Sequence, residues 1–252
     1  MKNNQFNMKH ISTIAIFLSI IAMGCKEQKN VITKEQLATD NTLSQAEQAE
    51  GWKLLFDGQT LNGWRMYQNK PADAWGVKDG ILYCKGSETD KSDLRADIVS
   101  ADQYENFELS VDWKIAPEGN SGIMYHVSED TTAAYYSGPE YQLIDDAGFP
   151  EKLEEWQKTA SDYAMYTVTS RPTNPVGQFN TSKIIVNSTH REHWLNGVKV
   201  LEFEAWTPDW EKRKAAGKWK DVPNYGMNKT GYICLQDHGG GVWFKNIKIK
   251  VL

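Results

Sequence analysis

Two carboxylates and an amide lie close together in the segment Glu-Tyr-Gln-Leu-Ile-Asp, as Glu140, Gln142 and Asp145. Paired carboxylates can act as general acid and base, or can bind the hydroxyl groups of a polar ligand. If the segment is a β-strand, Glu140 and Gln142 share one face, because side chains repeat every second residue. A bulge after Gln142 would bring Asp145 to that face, and without a bulge Asp145 points away. We therefore predict a catalytic strand, with a strand that only binds ligand as the alternative.

A second polar group lies near the C-terminus, where Gln236, Asp237 and His238 precede three glycines. Polar residues that end a strand before a flexible loop lie at a rim, where functional sites are common. His238 titrates near neutral pH and can therefore transfer protons. The alternative is a histidine that hydrogen-bonds the glycine loop. We predict Glu140, His238 and Asp145 as catalytic residues.

Further residues could line the same cleft. Asn120 lies in Gly-Asn-Ser-Gly, which is either a tight turn or the source of a hydrogen bond to a ligand hydroxyl. His126 follows on the next strand and could face the cleft or pack inside. His193 precedes an Asn-Gly turn and is interpreted as part of a hairpin. The predicted ligand-binding residues are Gln142, Asn120, Tyr125, His126, Tyr166, Arg171, Gln236 and Asp237.

The elements that must position these residues are mainly β-strands. Residues 107–115 alternate apolar and polar side chains, which is typical of a strand with one buried face. Asn196-Gly197 and Asp79-Gly80 predict hairpins, because a type I′ turn needs positive φ at both central residues. Short helices are predicted over 153–158 and 208–216, and a transient helix over 44–50. Many antiparallel strands with few helices imply a two-sheet sandwich or a barrel.

The composition limits the classes of partner. The chain has 252 residues, a formal net charge of −5 and no basic stripe, which argues against nucleic acid. Ten Trp and eleven Tyr suit either large β-cores or the stacking of sugar rings on aromatic planes. Cys84 and Cys234 could pair in an oxidising compartment or remain buried thiols, and no metal-binding cysteine spacing is present.

The N-terminal residues predict export. Residues 1–24 begin with lysines and continue into a short apolar run, as in a signal peptide. The run ends at Cys25, and Ala-Met-Gly-Cys resembles the lipobox of bacterial lipoproteins. Residues 25–50 are polar and lack aromatics, so they are predicted to be a flexible tether. The folded domain would be residues 51–252, held by a lipid anchor to a membrane of the bacterial cell envelope, at the periplasmic face or the cell surface.

Several ordered motifs resemble one family, the 3-keto-disaccharide hydrolase domain. Departures from the family pattern are Gln-Phe in Gly177-Gln-Phe-Asn180 and Lys245 where Arg is common. The match spans nearly all of residues 51–252. The motifs that carry it are Gly51-Trp-Lys-Leu-Leu-Phe-Asp-Gly58, Leu61-Asn-Gly-Trp64, Gly119-Asn-Ser-Gly122, Gly138-Pro-Glu-Tyr-Gln-Leu-Ile-Asp145, Trp194-Leu-Asn-Gly197, Gly231-Tyr-Ile-Cys-Leu-Gln-Asp-His-Gly239 and Val242-Trp-Phe-Lys-Asn-Ile-Lys-Ile249.

The resemblance implies an all-β fold, a concanavalin A-like jelly-roll sandwich of two antiparallel sheets with one or two short helices. It also implies a carbohydrate substrate, a glycoside with a ketone at C3. The ketone would acidify the C2 hydrogen, so that Glu140 or His238 could form an enolate that expels the C1 substituent. Water addition would complete a net hydrolysis. Asp145 would orient a partner or help to ligate a divalent cation, Ca²⁺ or Mg²⁺, although the spacing does not require a cofactor.

Two alternative functions remain open at this point. One is a conventional glycosidase, retaining or inverting, that cleaves unoxidised glycans with two carboxylates. The segment that contains Glu140 is similar to the Glu-x-Asp-x-x-Glu signature of retaining endoglucanases, in which two carboxylates about 5 Å apart act as nucleophile and acid/base. Here the middle residue is an amide and the last carboxylate is shortened. The other alternative is a non-catalytic carbohydrate-binding module, since sandwich domains often bind sugars without cleaving them. The sequence does not indicate the oligomeric state.

Overall fold

The computed structural model describes residues 1, 40–85, 95–239 and 241–252. The predicted signal peptide, the predicted lipidation site Cys25 and residues 26–39 of the predicted tether lie outside the described residues. Within the described part of the chain, no helix is long and apolar enough to cross a membrane.

The described residues fold into two antiparallel sheets, as predicted. The strands are β1 Trp52–Leu54, β2 Trp64–Met66, β3 Trp75–Lys78, β4 Ile81–Cys84, β5 Ile98–Tyr104, β6 Phe107–Ile115, β7 Asn120–Val127, β8 Glu140–Ile144, β9 Asn180–Asn187, β10 His190–Leu195, β11 Val198–Glu204, β12 Gly231–Leu235 and β13 Val242–Val251. The first sheet has the order β11-β10-β9-β6-β13-β4-β3, and β1 pairs with the C-terminal half of β13. The second sheet has the order β2-β5-β12-β7-β8.

The core lies between the two sheets and is built by side-chain alternation. In β6 every second side chain, from Phe107 to Ile115, is buried, which confirms the predicted strand. Tyr141 and Leu143 of β8 enter the same core from the second sheet. Each such apolar side chain contributes about 1.5–3 kcal/mol when it is fully removed from water. Burial of these residues therefore fixes which face of each strand points outward.

Both predicted hairpin turns are confirmed. Asn196 and Gly197, between β10 and β11, have φ of 48° and 81°. Asp79 and Gly80, between β3 and β4, have φ of 51° and 78°. Positive φ at both central residues is the geometry that a type I′ turn requires.

In the part of the chain that the structure describes, the helices are short and few. Helix α1 spans Gln45–Ala49 and helix α2 spans Pro208–Ala216, with the Thr207 side chain capping the start of α2. The prediction of α2 is confirmed, whereas a helix over 153–158 is wrong, because only a 3-10 turn forms at Glu155–Gln157. The chain returns there to extended geometry and pairs with β8, where the Ala160 N–H donates to the carbonyl of Gln142 at 2.9 Å.

The predicted flexible tether over 25–50 needs correction for residues 40–50, which dock on β13. Asn246 lies in an irregular stretch of β13 with φ of 51°, and its backbone N–H donates to Asn41 Oδ1 at 2.8 Å. The Asn41 backbone N–H donates in return to Asn246 Oδ1 at 2.6 Å. Asp40 pairs with Lys245 at 2.8 Å, and Glu47 of α1 pairs with Lys248. The segment cannot fold alone, but β13 supplies the partners that it lacks.

No disulfide joins the two cysteines of the described residues. Cys84 lies buried on β4 of the first sheet, and Cys234 lies buried on β12 of the second sheet. The alternative of buried strand cysteines is therefore the one that the structure supports.

Candidate active site

A cleft of about 310 Å³ lies on the face of the second sheet that points away from the core. It brings together residues that the sequence analysis predicted from distant segments, namely Asn120, Glu140, Gln142, Gln236 and His238. Five further residues line it, namely Tyr135, Tyr136, Tyr163, Lys218 and Trp219. We call this space the cleft.

Three neighbouring strands position the polar floor of the cleft. β7 lies between β12 and β8, and Gly122 of β7 is directly opposite Gln142 of β8. Because side chains alternate along β8, Glu140 and Gln142 face the cleft while Tyr141 and Leu143 face the core. Gln236 and His238 follow the end of β12 and reach the same space.

Glu140 is a buried carboxyl group with an unusual environment. Its side chain is only 5% exposed, and no hydrogen bond to its carboxyl oxygens is found among the described residues. Burial raises the pKa of Glu140 to about 8, with Asp97 and Asp162 adding to the rise and the cation of Lys218 opposing it. The group is therefore mainly protonated at neutral pH and can donate a hydrogen bond.

The place that Glu140 occupies depends on a glycine. A side chain at Gly122 would put its Cβ 2.0 Å from Glu140 Oε1, so the Glu140 side chain lies across the space above Gly122. The glycine thus leaves the room that the carboxyl group fills. Backbone conformation does not explain the need for a glycine at position 122, because the φ of Gly122 is not positive.

His238 has the opposite electrostatic tendency at the mouth of the cleft. It is exposed, yet partial desolvation by the cleft walls lowers the pKa of its imidazole, and the nearby cations of Arg95 and Lys218 lower it further. A neutral imidazole at neutral pH can accept a proton. One cleft thus holds a protonated carboxylic acid and an unprotonated base.

Two amide oxygens in the cleft are free to bind ligand. Asn120 Oδ1 and Gln142 Oε1 are buried and have no hydrogen-bond partner among the described residues. The Gln142 side chain is oriented by its Nε2, which donates to the carbonyl of Gln157 at 3.1 Å. A buried acceptor without a partner costs free energy, and a ligand hydroxyl can remove that cost by donating to it.

Lys218 and the aromatic walls are functional candidates that the sequence analysis missed. Lys218 follows α2 and holds its Nζ 4.5 Å from the centre of the Tyr163 ring. Trp219 is buried, stacks on Tyr225 at 4.1 Å, and donates its indole N–H to the carbonyl of Tyr163. The excess of Trp and Tyr in the composition is the one sequence signal for these walls, and it does not show which residues form them.

Asp145 is not brought to the cleft. No bulge occurs between Glu140 and Ile144, since their pairing with β7 is continuous. Asp145 Oδ2 accepts from the Glu118 N–H at 3.0 Å, and Oδ1 accepts from the Gly148 N–H at 2.8 Å. Its carboxylate lines another cavity, where it closes a loop. The predicted pair of Glu140 with Asp145 is therefore not assembled, and a cation that Asp145 helped to ligate would lie outside the cleft.

Other predicted ligand-binding residues lie elsewhere in the described structure. Tyr125 and His126 are buried in the sheet, and burial lowers the pKa of His126 to about 4. Tyr166 stacks on Phe203, away from the cleft. Arg171 pairs with Glu155 at 2.8 Å.

Asp237 lines a neighbouring cavity, and its two oxygens accept from the backbone N–H groups of Ala96 and Gly239. Among the described residues, one group of histidine and carboxylate side chains has ligand atoms within 4.8 Å of one another, namely His190, Glu192 and Glu202. This group lies on β10 and β11 of the first sheet rather than in the cleft.

Comparison with known proteins identifies the family. Residues 51–250 match the model of the 3-keto-alpha-glucoside-1,2-lyase-like domain. A 3-keto-disaccharide hydrolase of Bacteroides thetaiotaomicron is 35% identical over 231 residues, which cover 81% of this chain and 79% of the relative.

Two solved structures of proteins from Parabacteroides distasonis, assigned as glycosyl hydrolases, are also similar. One is 44% identical with a TM-score of 0.79 and covers 84% of this chain and 99% of its own. The other is 26% identical with a TM-score of 0.61 and covers 80% of this chain and 99% of its own. The fold and these relatives define a glycosidase-like enzyme on a jelly-roll sandwich of two antiparallel sheets. The chain belongs to the 3-keto-alpha-glucoside-1,2-lyase-like domain family.

Proposed function

We propose that this enzyme cleaves glycosides that carry a ketone at C3, by elimination across C1 and C2 followed by hydration. The observation that carries the proposal is that Glu140 and His238 line one cleft, in environments that raise the pKa of the first and lower the pKa of the second. Groups whose environments push their pKa values in opposite directions are typical of acid and base assignments. The relative that acts on 3-keto-disaccharides by name supports the same substrate class.

In the first step, His238 removes the C2 proton of the bound 3-keto sugar. The electron pair of the C2–H bond forms a double bond between C2 and C3, and negative charge develops on the C3 oxygen. Glu140, as a buried acid, donates a hydrogen bond to that oxygen, and the ammonium group of Lys218 adds a positive charge beside it. The low-dielectric position of Glu140 strengthens this stabilisation.

In the second step, the enolate expels the C1 substituent. The electron pair re-forms the C3 carbonyl, a double bond forms between C1 and C2, and the C1–O bond breaks. The imidazolium of His238 donates its proton to the departing oxygen, which is bonded to the carbon next to C2. Water then adds at C1 while a proton returns to C2, so the net reaction is hydrolysis.

The remaining cleft residues bind the sugar. Asn120 Oδ1 and Gln142 Oε1 accept hydrogen bonds from its hydroxyls, and the aromatic walls pack against its C–H faces. A conventional mechanism with two carboxylates is less compatible with this arrangement. Among the described residues that line the cleft, Glu140 supplies the only carboxyl group.

The decisive experiment is hydrogen exchange at C2. We expect a methyl 3-keto-glucoside incubated with enzyme in D₂O to gain deuterium at C2, and His238→Ala to lose both exchange and cleavage. Cleavage without deuterium at C2 would rule out elimination. Cleavage of unoxidised glycans at comparable rates would favour the two-carboxylate mechanism, and binding with no turnover of either substrate would favour a binding module. A parallel reaction with chelator tests for a cation, since loss of activity that Ca²⁺ or Mg²⁺ restores would indicate one.

We also propose that Cys25 carries a lipid that anchors the enzyme to the bacterial cell envelope. Acyl chains bind a membrane by burial of methylene groups, about 0.8 kcal/mol for each. We expect the full chain to fractionate with membranes and to incorporate labelled palmitate, and Cys25→Ser to do neither. Equal labelling of the two proteins would refute the anchor.

A further inference from the structure

His238 lies on the segment that follows β12, and it makes few contacts that could hold it there. Among the described residues, no other side chain hydrogen-bonds its imidazole. Its backbone N–H and carbonyl form no backbone hydrogen bond with another described residue. A general base must stay within hydrogen-bond reach of the proton that it removes. The position of the ring therefore depends on the neighbours of His238 in the chain.

Asp237 makes three hydrogen bonds that fix the backbone around His238. Its N–H donates to Asp97 Oδ1 at 2.9 Å. Its Oδ2 accepts from the Ala96 N–H at 3.2 Å, and its Oδ1 accepts from the Gly239 N–H at 3.1 Å. Each of the two aspartates thus accepts a backbone N–H from the segment of the other. We call Asp97 and Asp237 together the aspartate clasp.

Both sides of the aspartate clasp are tied to the second sheet or to the residues beside it. The Asp97 carbonyl accepts from the N–H of Tyr67, which follows β2, at 2.8 Å. On the other side, the N–H of Gln236 donates to the carbonyl of Gly122 on β7 at 3.0 Å. The clasp is therefore connected to the strand that lies beneath Glu140.

The aspartate clasp begins where the ladder between β5 and β12 ends, at the pair of Leu235 with Ile98. A continued ladder would satisfy these N–H groups with backbone carbonyls and would place no charges together. Burial raises the pKa of Asp97 to about 6, and the charge of Asp237 adds to the rise. Because like charges held close together cost free energy, stability alone does not account for the two carboxyl groups.

We propose that Asp97 and Asp237 are positioning residues of the reaction, and that the aspartate clasp holds the His238 imidazole where it removes the C2 proton. This inference rests on the proposed function, in which His238 is the base. Both oxygens of Asp237 are engaged by backbone N–H groups. Asp237 therefore fixes the backbone, in place of the ligand-binding role that its sequence position suggested.

The test measures kcat, KM and deuterium exchange at C2 with methyl 3-keto-glucoside. We expect kcat to fall about 100-fold in Asp97→Ala and in Asp237→Ala, the scale of a displacement of about 1 Å at a reacting group. KM should change little, because Asn120 and Gln142 bind the sugar from other strands. Exchange at C2 should fall in parallel with kcat.

The conservative variant Asp97→Asn separates the hydrogen bond from the charge. Its amide oxygen can still accept from the Asp237 N–H, so its kcat should exceed that of Asp97→Ala about tenfold, the scale of one hydrogen bond. Asp57→Ala is the matched control. Asp57 is an exposed aspartate whose Oδ1 accepts from the N–H groups of Gln59 and Thr60 away from the cleft, and its replacement should alter neither kcat nor KM.

The NMR signals of the histidine rings give a readout that does not depend on turnover. The signal of His238 is identified by its absence from His238→Ala. It should shift or broaden in Asp97→Ala and in Asp237→Ala. The signals of His126 and His193, which are buried, should stay unchanged and show that the fold is intact.

The outcomes separate this inference from the proposed function. A wild-type His238 signal in both alanine variants would refute the aspartate clasp, as would losses that appear in KM with kcat unchanged. An Asp97→Asn enzyme as slow as Asp97→Ala would show that the hydrogen bond is not the cause. If His238→Ala keeps full exchange and cleavage, the proposed role of His238 fails and the inference fails with it. Thermal unfolding of each variant shows whether a loss reflects the fold.

Discussion

Glu140 carries its carboxyl group in a place where a negative charge is costly. It has almost no contact with solvent, and no described residue donates a hydrogen bond to it. The cation of Lys218 offsets only part of this cost, so the pKa of Glu140 remains at about 8. A buried acid of this kind can donate to an oxygen that becomes negatively charged during a reaction.

The pH dependence of the rate tests this assignment. Because the protonated form of Glu140 is required, we expect kcat/KM for a 3-keto glycoside to fall as pH rises through about 8. Glu140→Gln keeps a hydrogen-bond donor and should lack this alkaline fall, whereas Glu140→Ala should lose about 100-fold in kcat. A rate that instead rises through pH 8 would identify Glu140 as the base.

Stability should depend on pH for the same reason. The pKa of Glu140 is about 8 in the folded protein, above its ordinary value of 4.5. The contribution of Glu140 to the free energy of unfolding is therefore fully present below pH 4.5 and is lost as pH rises to about 8. The substituted side chain of the Glu140→Gln variant does not titrate. As pH rises over this range, the free energy of unfolding of this variant should increase relative to that of the wild type, by up to a few kcal/mol. Urea unfolding at pH 5 and pH 8 measures the difference.

The exposed Glu151 supplies the control for that experiment. Glu151→Gln should unfold with the same pH dependence as the wild type. If Glu140→Gln also follows the wild type at both pH values, then Glu140 is not held in a costly environment. The protonated-acid role would then have no basis.

At the residue scale, the sequence predicted those site residues whose position follows from strand alternation. Glu140 and Gln142 share a face because β8 is regular, and Gln236 and His238 follow the end of β12. The placement of Asp145 on the same face depended on a β-bulge, which residue propensities alone do not predict. Its carboxylate is used instead by backbone N–H groups of the following loop.

The pairing of β7 with β8 is the element that holds the acid in place. The strands meet where Gly122 lies beside the side chain of Glu140, and the absence of a Cβ there makes the pairing compatible with an inward carboxyl group. The requirement for a glycine is thus a consequence of a close approach between neighbouring strands. The sequence motif that contains Gly122 suggested a tight turn or a ligand contact by Asn120, whereas residues 120–122 begin strand β7.

Gly122→Ala should therefore reduce activity with a small effect on folding. The new Cβ would lie 2.0 Å from Glu140 Oε1, at the end of a side chain that can rotate away. We expect kcat to fall about 100-fold, because a displacement of about 1 Å at a reacting group has that scale of effect.

A double-mutant cycle identifies the cause of that loss. In a Glu140→Ala background the same glycine substitution should have little further effect, because the side chain that it displaces is already absent. Multiplicative losses in the double mutant would mean that Gly122 acts through something other than Glu140.

Elements defined by local rules were predictable, and elements defined by distant partners were not. The Asn196-Gly197 and Asp79-Gly80 turns follow from the φ values that such dipeptides accept. The segment 153–158 has helix-forming residues, yet the chain is extended at Lys158, and the Ala160 N–H then donates to the carbonyl of Gln142. Tertiary hydrogen bonds decide such cases, and a single sequence does not contain their register.

On the scale of the whole molecule, the cleft is assembled from segments about 120 residues apart in the chain, from Asn120 to His238. The sandwich fold brings the strands together, and family motifs gave that fold in advance. Loops supply the remaining walls, and their paths depend on contacts such as the stacking of Trp219 on Tyr225. Lys218 enters the cleft as the neighbour of that tryptophan, which is why no local pattern predicted it.

The same dependence on distant partners explains residues 40–50, which are polar in sequence but docked in the structure. Asn41 and Asn246 exchange two backbone-to-side-chain hydrogen bonds, and the ion pairs of Asp40 and Glu47 flank them. Each hydrogen bond contributes about 1 kcal/mol, and the partly exposed ion pairs contribute less. The docked segment should therefore stabilise β13 by roughly 2 kcal/mol.

Comparison of two truncated chains tests this contribution. A chain of residues 40–252 should unfold several degrees above a chain of residues 51–252, since 1 kcal/mol corresponds to about 2–4 °C in a domain of this size. Asn41→Ala in the longer chain should reproduce a large part of the loss, because it removes the acceptor of the Asn246 N–H. Both chains should retain cleavage, because the cleft lies on the second sheet and β13 lies in the first. Equal unfolding temperatures for the two chains would show that residues 40–50 behave as the flexible tether that their composition suggests.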